Sequence, residues 1–93
     1  MHGEKVMVAQ IFLHKGCLVP EHSHESEQIS LIVAGLLKFN VAGEEKIVRS
    51  NQLLCIPSNT KHWVEALEDT LAYDLFSPIR LDWLAGNDAY LRK

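Results

Sequence analysis

The sequence predicts an all-β domain, a sandwich or a barrel, and three observations support this. Short runs rich in β-branched and large apolar residues recur along the whole chain. Turn residues separate these runs at intervals of about 8–12 residues, the spacing typical of small all-β folds. The chain has only 93 residues, and its apolar fraction of 47% is ordinary for a globular protein. One small domain with a β core is therefore expected.

Each predicted strand ends at residues that favour a turn. Glycine closes the first two runs, and a hairpin turn at 42–44 joins the third to the fourth. Ser-Asn, Ser-Asn-Thr and Glu-Asp sequences then separate the remaining runs. The predicted strands are KVMVAQIFLH (5–14), EQISLIVA (27–34), LLKFNV (36–41), EKIVR (45–49), QLLCIP (52–57), KHWVEAL (61–67) and TLAYDLFS (70–77).

The end of the chain has a different pattern. After Pro78 the apolar residues follow a helical rather than an alternating spacing, and Gly86 is a stop signal. We expect a short helical tail over 78–93 on a barrel core that covers about 4–77, so that 1–93 form a single domain.

Composition excludes several classes of function. The net charge is −3 and the basic residues are scattered, which argues against a nucleic-acid or membrane surface. No apolar run approaches the ~20 residues that a membrane span needs, and the first residues lack a signal peptide's apolar stretch. Cys17 and Cys55 form no C-x-x-C motif, and we expect buried thiols. The sequence predicts a soluble cytoplasmic protein.

The stretch GCLVPEHSHESEQISLIVAG places two histidines one residue apart and an amide four residues later. Side chains on a strand alternate between its faces, so His22, His24 and Gln28 share a face if the segment stays extended. Glu25 and Glu27 then face the other way. His62, on a distant strand, joins the group only across a folded barrel.

Three imidazoles and one oxygen donor suit a single divalent ion such as Zn, Fe, Mn or Ni. The predicted ligand set is His22, His24, Gln28 and His62. The alternative is a polar strand end whose histidines are solvated or hydrogen-bonded, the role that we assign to His2 and His14.

The pattern around these residues resembles the cupin superfamily. Its first motif, G-x5-H-x-H-x3-E-x6-G, matches from Gly16 to Gly35, with Gln28 in place of the usual Glu. Its second motif, G-x5-P-x-G-x2-H-x3-N, retains Pro57 and His62; the replaced positions are Asn51, Asn59 and Ala66. The resemblance implies a metal-binding double-stranded β-helix (a jelly-roll barrel) with Gln28 as a ligand through its amide oxygen. A neutral ligand set leaves the ion's charge uncompensated, which favours anionic substrates and Lewis-acid chemistry.

The segment YDLFSPIRLDWL carries a second group of candidates. Asp74 and Phe76 share a face of the last strand, and a buried carboxylate needs a partner, a ligand or a wet cavity. An Asp74–Arg80 salt bridge that holds the tail is the structural alternative. The segment resembles the end of small cupins that linearise 4,5-unsaturated uronates in pectin degradation. That resemblance implies that Asp74, Phe76 and Arg80 line the pocket above the metal, although those relatives carry one more residue before the Gln.

Three functions follow as hypotheses. The first is a metal-dependent enzyme acting on a small anionic sugar acid or oxo-acid, in which Asp74 moves a proton and Arg80 pairs with the substrate carboxylate. The second is a manganese or iron cupin of the hydroxynitrile-lyase or dioxygenase type. The third is a non-catalytic, metal-dependent module that binds small molecules.

We also expect a homodimer. The chain is short for a stable barrel, and its first predicted strand is long and apolar, as an edge that pairs across a subunit boundary would be. Similar cupins often carry an extra strand before it, so we expect an N-terminal segment of those relatives to be absent here.

Overall fold

The computed structural model describes residues 1–80, and its secondary structure consists of eight antiparallel strands. The alternation of buried and exposed side chains along them follows from the pleat. The strands are β1 (Met7–Leu13), β2 (Leu18–His22), β3 (Glu27–Ala34), β4 (Leu36–Val41), β5 (Glu44–Arg49), β6 (Leu53–Ile56), β7 (His62–Ala66) and β8 (Thr70–Ser77).

The strands form two four-stranded sheets in the order of a jelly roll. Sheet A has the order β1-β8-β3-β6 and sheet B the order β2-β7-β4-β5. A single apolar cluster joins the inner faces of both sheets. Its members include Leu13, Ile32, Ile56 and Ala72 from sheet A and Val19, Leu37, Phe39 and Val64 from sheet B. The predicted all-β architecture is confirmed.

Left-handed backbone conformations occur at several of the turns. Gly35 has φ 115°, and a Cβ there would lie 2.6 Å from the carbonyl oxygen of Asp69, so only glycine fits between β3 and β4. Asn51 and Asn59 have φ values of 67° and 58°. Asparagine tolerates this region better than most residues, which explains how it replaces glycine at both positions of the second motif.

Strand positions agree closely with the sequence prediction except at β2. The runs 27–34, 36–41 and 70–77 are strands over their full predicted lengths, and the others differ at their ends. β2 was not predicted because Pro20 and charged Glu21 weaken its strand pattern. It is an edge strand of sheet B, where proline is tolerated, and its register with β7 shifts between Val19 and His22.

The expectation of buried thiols is wrong for Cys55. Ile56 points into the core of β6, so its neighbour Cys55 faces outward and is exposed. Cys17 is partly buried, and both thiols are unpaired.

The predicted helical tail lies outside the described residues, apart from 78–80, and the single-domain organisation stays a prediction. Within residues 1–80, no helix has the length and apolar character needed to cross a membrane.

Candidate metal centre

Three histidines meet at one end of the barrel. His22 ends β2 and His62 begins β7, where the two residues pair directly, and His24 lies in the connection from β2 to β3. One ring nitrogen from each of them lies within 4.8 Å of the others. His62 is buried, whereas His22 and His24 are partly buried. The three side chains are therefore positioned to bind a metal ion.

The same hydrogen-bond pattern orients each imidazole. Nδ1 of His22 lies 2.8 Å from the Pro20 carbonyl oxygen, Nδ1 of His24 lies 2.7 Å from that of Ser26, and Nδ1 of His62 lies 2.8 Å from that of Thr60. A carbonyl oxygen only accepts, so each Nδ1 carries the proton and each Nε2 has a lone pair to offer. Such outer partners are typical of metal-ligating histidines, and they fit a divalent ion here.

The amide of Gln28 adds an oxygen donor to the cluster. Its Oε1 lies 3.1 Å from Nε2 of His24, and its Nε2 donates to the hydroxyl of Ser30 at 2.9 Å. His24 donates its Nδ1 proton to the carbonyl oxygen of Ser26, so its Nε2 carries a lone pair. That lone pair and one on Oε1 of Gln28 face each other across the 3.1 Å contact. That arrangement is favourable when a cation lies beside both atoms. The donor set therefore fits a metal with three nitrogens and one amide oxygen.

Burial keeps two of the histidines, His24 and His62, in the form that a metal requires. It lowers the pKa of His62 to about 4 and lowers the pKa of His24 as well, against hydrogen bonds to Thr60 and Ser26 that act in the opposite direction. The positive charge of Arg80 contributes to both shifts. Neutral imidazoles at neutral pH are ready to bind without first losing a proton.

A cavity of about 40 Å³ opens beside the histidines. Most of its wall is apolar, but its polar members are gathered from both sheets and from the segment after β8. Asp74, Phe76 and Arg80 all contribute to the same wall as His22, Gln28 and His62. The structure thus brings three of the four predicted ligands and all three predicted pocket residues to one cavity.

The environment of Asp74 favours its neutral form. Burial raises its pKa to about 6, and hydrogen bonds from Ser30 and Gln28 oppose this shift. The charge of Arg80 is the smallest of the named influences. Ser30 donates to Oδ1 of Asp74 at 2.7 Å. A carboxyl with a pKa of about 6 both accepts and releases a proton near neutrality.

Phe76 packs between His24 and the guanidinium of Arg80. Its ring meets that of His24 edge-on, with centroids 5.6 Å apart, and the guanidinium carbon of Arg80 lies 5.3 Å from its centroid. Both Phe76 and Arg80 are buried. The cation–π contact fixes Arg80 at the cavity wall.

The prediction that an extended strand segment brings His22, His24 and Gln28 together is wrong in part. The segment from His22 to Gln28 does not stay extended: it bends at Glu25–Ser26 and crosses from sheet B to sheet A. Gln28 meets the histidines because β3 lies across the barrel from β2, and strand parity does not produce this. Glu25 and Glu27 are exposed, as expected. His2 and His14 lie outside the cluster, also as expected.

Sequence reasoning missed two serines. Ser30 lies directly opposite Asp74 in the β3–β8 register and is fully buried. Ser26 is also buried, its carbonyl oxygen accepts from His24, and its hydroxyl donates to the carbonyl oxygen of Pro78. The available signal was that both serines follow the even spacing of the candidate ligands.

Comparisons with known proteins show the family to which the chain belongs. Residues 10–76 match the family described as "Cupin domain". The "Pectin degradation protein KdgF" of Dickeya dadantii (strain 3937) is 29% identical over 84 residues, which is 88% of this chain and 76% of that protein.

Solved structures extend the likeness to three dimensions. The structure of KdgF from Halomonas sp. has a TM-score of 0.85 and 32% identity, covering 89% of this chain and 77% of that one. An RmlC-like cupin from Shewanella frigidimarina NCIMB 400 has a TM-score of 0.84 and 27% identity, covering 88% and 74%. The predicted barrel is thereby confirmed, and the chain belongs to the cupin family.

Proposed function

We propose that this cupin is a metal-dependent enzyme that linearises 4,5-unsaturated uronates, or related small anionic sugar acids, to keto-acids. The observation that carries the proposal is the cavity that Asp74 and Arg80 share with three of the four candidate ligands. A pocket with an acid–base group and a cation beside three imidazoles suits an anionic substrate better than an apolar pocket does. The similarity to two KdgF proteins, one of them named for pectin degradation, supports the same substrate class.

The proposed metal site consists of His22, His24, Gln28 and His62. When bound, a divalent ion supplies Lewis-acid polarisation of a substrate oxygen. Mn, Fe, Ni and Zn are the ions that this donor set suits. The neutral amide of Gln28 leaves the charge of such an ion undiminished, which favours a carboxylate ligand.

Arg80 is the proposed carboxylate partner. Its guanidinium is fixed against Phe76, 5.3 Å from the ring centroid, so its planar fork is held for a bidentate pair. A cavity of about 40 Å³ holds an ion and about three water-sized groups. The carboxylate end of the substrate therefore enters the cavity while the sugar ring lies at its mouth.

Asp74 is the proposed proton carrier. Ring opening breaks the bond between the anomeric carbon and the ring oxygen, and Asp74 accepts the proton of the anomeric hydroxyl as the aldehyde forms. The bond's electron pair stays on the ring oxygen, and the resulting enolate becomes a ketone when Asp74 returns the proton to the neighbouring alkene carbon. One proton leaves and one arrives, so the reaction is an isomerisation and Asp74 ends as it began.

The test is a turnover assay with metal-loaded protein and a 4,5-unsaturated uronate. Loss of the conjugated alkene is followed by ultraviolet absorbance, against the spontaneous rate and against His62→Ala. Wild-type loss of absorbance well above both is the expected result. A wild type that binds metal but does not exceed the spontaneous rate would remove this substrate. The lyase or dioxygenase and the non-catalytic module are the alternatives that such a result would favour.

We further propose that the protein is a homodimer that pairs through the outer face of sheet A. Large apolar side chains on that face are 40 to 65% exposed: Phe12, Ile29, Val33 and Leu53. β1 is an edge strand as expected, but residues 1–3 cover part of its free edge through hydrogen bonds between Met1 and Val8. The broad outer face is therefore the better surface for a second copy.

A cytoplasmic location is also proposed. Its support is the state of the cysteines, since Cys17 and Cys55 are both unpaired thiols and Cys55 is exposed. Reduced, accessible thiols are typical of a reducing compartment.

A further inference from the structure

A chain of polar side chains connects Asp74 to the candidate metal centre. Oδ1 of Asp74 lies 2.7 Å from the Ser30 hydroxyl, which lies 2.9 Å from Nε2 of Gln28. At the other end of the amide, Oε1 lies 3.1 Å from Nε2 of His24. Ser30 is fully buried and Gln28 is 6% exposed. The polar atoms of Ser30 therefore depend on these partners.

Strand register produces this chain. Ser30 pairs with Asp74, and Gln28 pairs with Phe76, in the antiparallel ladder between β3 and β8. Residues that are directly opposite each other in a ladder point to the same face, so the amide, the hydroxyl and the carboxyl all point into the barrel. Two adjacent strands at the middle of sheet A fix their spacing.

The direction of each hydrogen bond follows from the geometry. The Ser30 hydroxyl donates its single hydrogen to Oδ1 of Asp74. The Ser30 oxygen then has only lone pairs to offer, and only the NH₂ end of Gln28 is a donor that can meet it. The carbonyl end must consequently point the other way, toward His24 and the metal site.

We propose that Ser30 is a positioning residue: it holds the Gln28 carbonyl oxygen toward the metal and, together with Asp74, selects an amide rather than a carboxylate at position 28. This inference rests on the metal site in the proposed function. A glutamate there would place an acceptor against Ser30, whose only hydrogen is already used by Asp74. One of the three oxygens would then be buried without a hydrogen, which is unfavourable.

A purely structural Ser30 predicts something different. If the hydroxyl only fills space between β3 and β8, its removal should affect folding without depending on the side chain at position 28. If the hydroxyl orients the amide, its removal should weaken metal binding only when residue 28 is glutamine. The two roles are therefore separated by measuring Ser30→Ala in two backgrounds.

The first experiment measures Zn²⁺ affinity by competition with a chromophoric chelator. We expect Ser30→Ala to weaken Zn²⁺ binding 10- to 100-fold, the usual effect of losing an outer partner of a ligand. Ser30→Thr keeps the hydroxyl and should stay within about threefold of wild type. In the Gln28→Glu background, Ser30→Ala should no longer weaken binding. Wild-type affinity in Ser30→Ala, or an equal loss in both backgrounds, would overturn the inference.

A second measurement does not depend on metal. In metal-free ¹⁵N-labelled protein, one Nε2 hydrogen of Gln28 should exchange slowly with solvent because Ser30 accepts it. Ser30→Ala should speed that exchange at least tenfold, and Ser30→Thr should not. Exchange unchanged by Ser30→Ala would contradict the proposed orientation. Neither measurement involves uronate turnover, so failure of the substrate assignment leaves both results interpretable. Should wild type not bind Zn²⁺, the proposed function fails and the exchange measurement alone decides the role of Ser30.

Discussion

His22 and His62 lie directly opposite each other in the pairing of β2 with β7, and their ring centroids are 4.3 Å apart. Two imidazoles this close are unfavourable when both are charged, and burial already lowers the pKa of His62 to about 4. A shared cation is the arrangement that makes their closeness favourable.

Divalent metal should stabilise the protein through this pair. With Zn²⁺ at 100 times its dissociation constant, the free energy of unfolding should rise by about 2.7 kcal/mol. His62→Ala should lose this gain. The matched control is His14→Ala, because His14 is exposed and lies outside the cluster. The measurement is chemical unfolding with Zn²⁺ and with chelator. A metal-induced gain that survives in His62→Ala would contradict the site.

Asp74→Asn should stabilise the metal-free protein at alkaline pH. The folded-state pKa of Asp74 is raised to about 6 from 3.8, so folding favours its neutral form. Its stabilising contribution is fully present below pH 3.8 and is lost as the pH rises through 6. At pH 8 the wild type therefore carries an unfavourable charge that Asn lacks.

We expect a gain on the order of 1–3 kcal/mol at pH 8 and almost none at pH 4. Asp74 is only partly buried, and contact with water reduces the cost of its charge. Such contact moves the expected gain toward the lower end of that range. The shift of His62 has the opposite sign: its contribution is present above pH 6.5 and is lost as the pH falls through 4. It is common to both proteins and cancels in the difference. Equal stabilities at pH 8 would show that the carboxylate is well solvated.

The strands were predictable because their ends depend on local turn chemistry. Gly35 and Asn51 adopt left-handed conformations where the sequence placed turns, and β3, β4 and β8 keep their predicted bounds. β2 was not predicted because Pro20 disfavours a strand except at the edge of a sheet. Only the sheet order shows that β2 lies at an edge.

The ligand residues were predictable from motif spacing, but their geometry was not. His22 and Gln28 lie on different sheets, so their approach depends on barrel closure rather than on strand parity. The role of Ser30 was hidden for a related reason. A serine in an apolar run gives no sign of which residue lies opposite, and only the register with β8 places it against Asp74.

Gln28→Glu should keep one metal per chain and lower turnover of anionic substrates. A carboxylate is a strong ligand, so binding is retained, but its negative charge weakens the attraction of the centre for a substrate carboxylate. We expect the Michaelis constant for the uronate to rise at least severalfold. The Gln10→Glu variant is a control, because Gln10 lies on the exposed side of β1. Kinetic constants equal to those of wild type in Gln28→Glu would show that the neutrality of the amide is unimportant.

Phe12→Glu should convert the proposed dimer to a monomer. Phe12 is 55% exposed on the outer face of sheet A, and a charge there would be desolvated on pairing. Ile47→Glu is the matched control, because Ile47 is 43% exposed but lies on sheet B. Light scattering at micromolar concentration gives the mass directly. A monomeric wild type, or dissociation by Ile47→Glu alone, would contradict this interface.

Asp74→Asn should be more stable than wild type and yet nearly inactive. The Ser30 hydrogen bond can persist to the Asn oxygen, so neither the fold nor the metal ligands are disturbed. The side chain can no longer carry a proton, and turnover of a 4,5-unsaturated uronate should fall roughly 100-fold or more. Asp69→Asn is the control, because Asp69 is exposed, accepts a hydrogen bond from the backbone N–H of Lys15 and does not line the cavity. Retention of a side chain that destabilises the fold is characteristic of a functional site. If Asp74→Asn gained stability and kept its turnover, Asp74 would have no part in the proton transfer, and the carboxyl would have to be explained by its orientation of Ser30 and Gln28 alone.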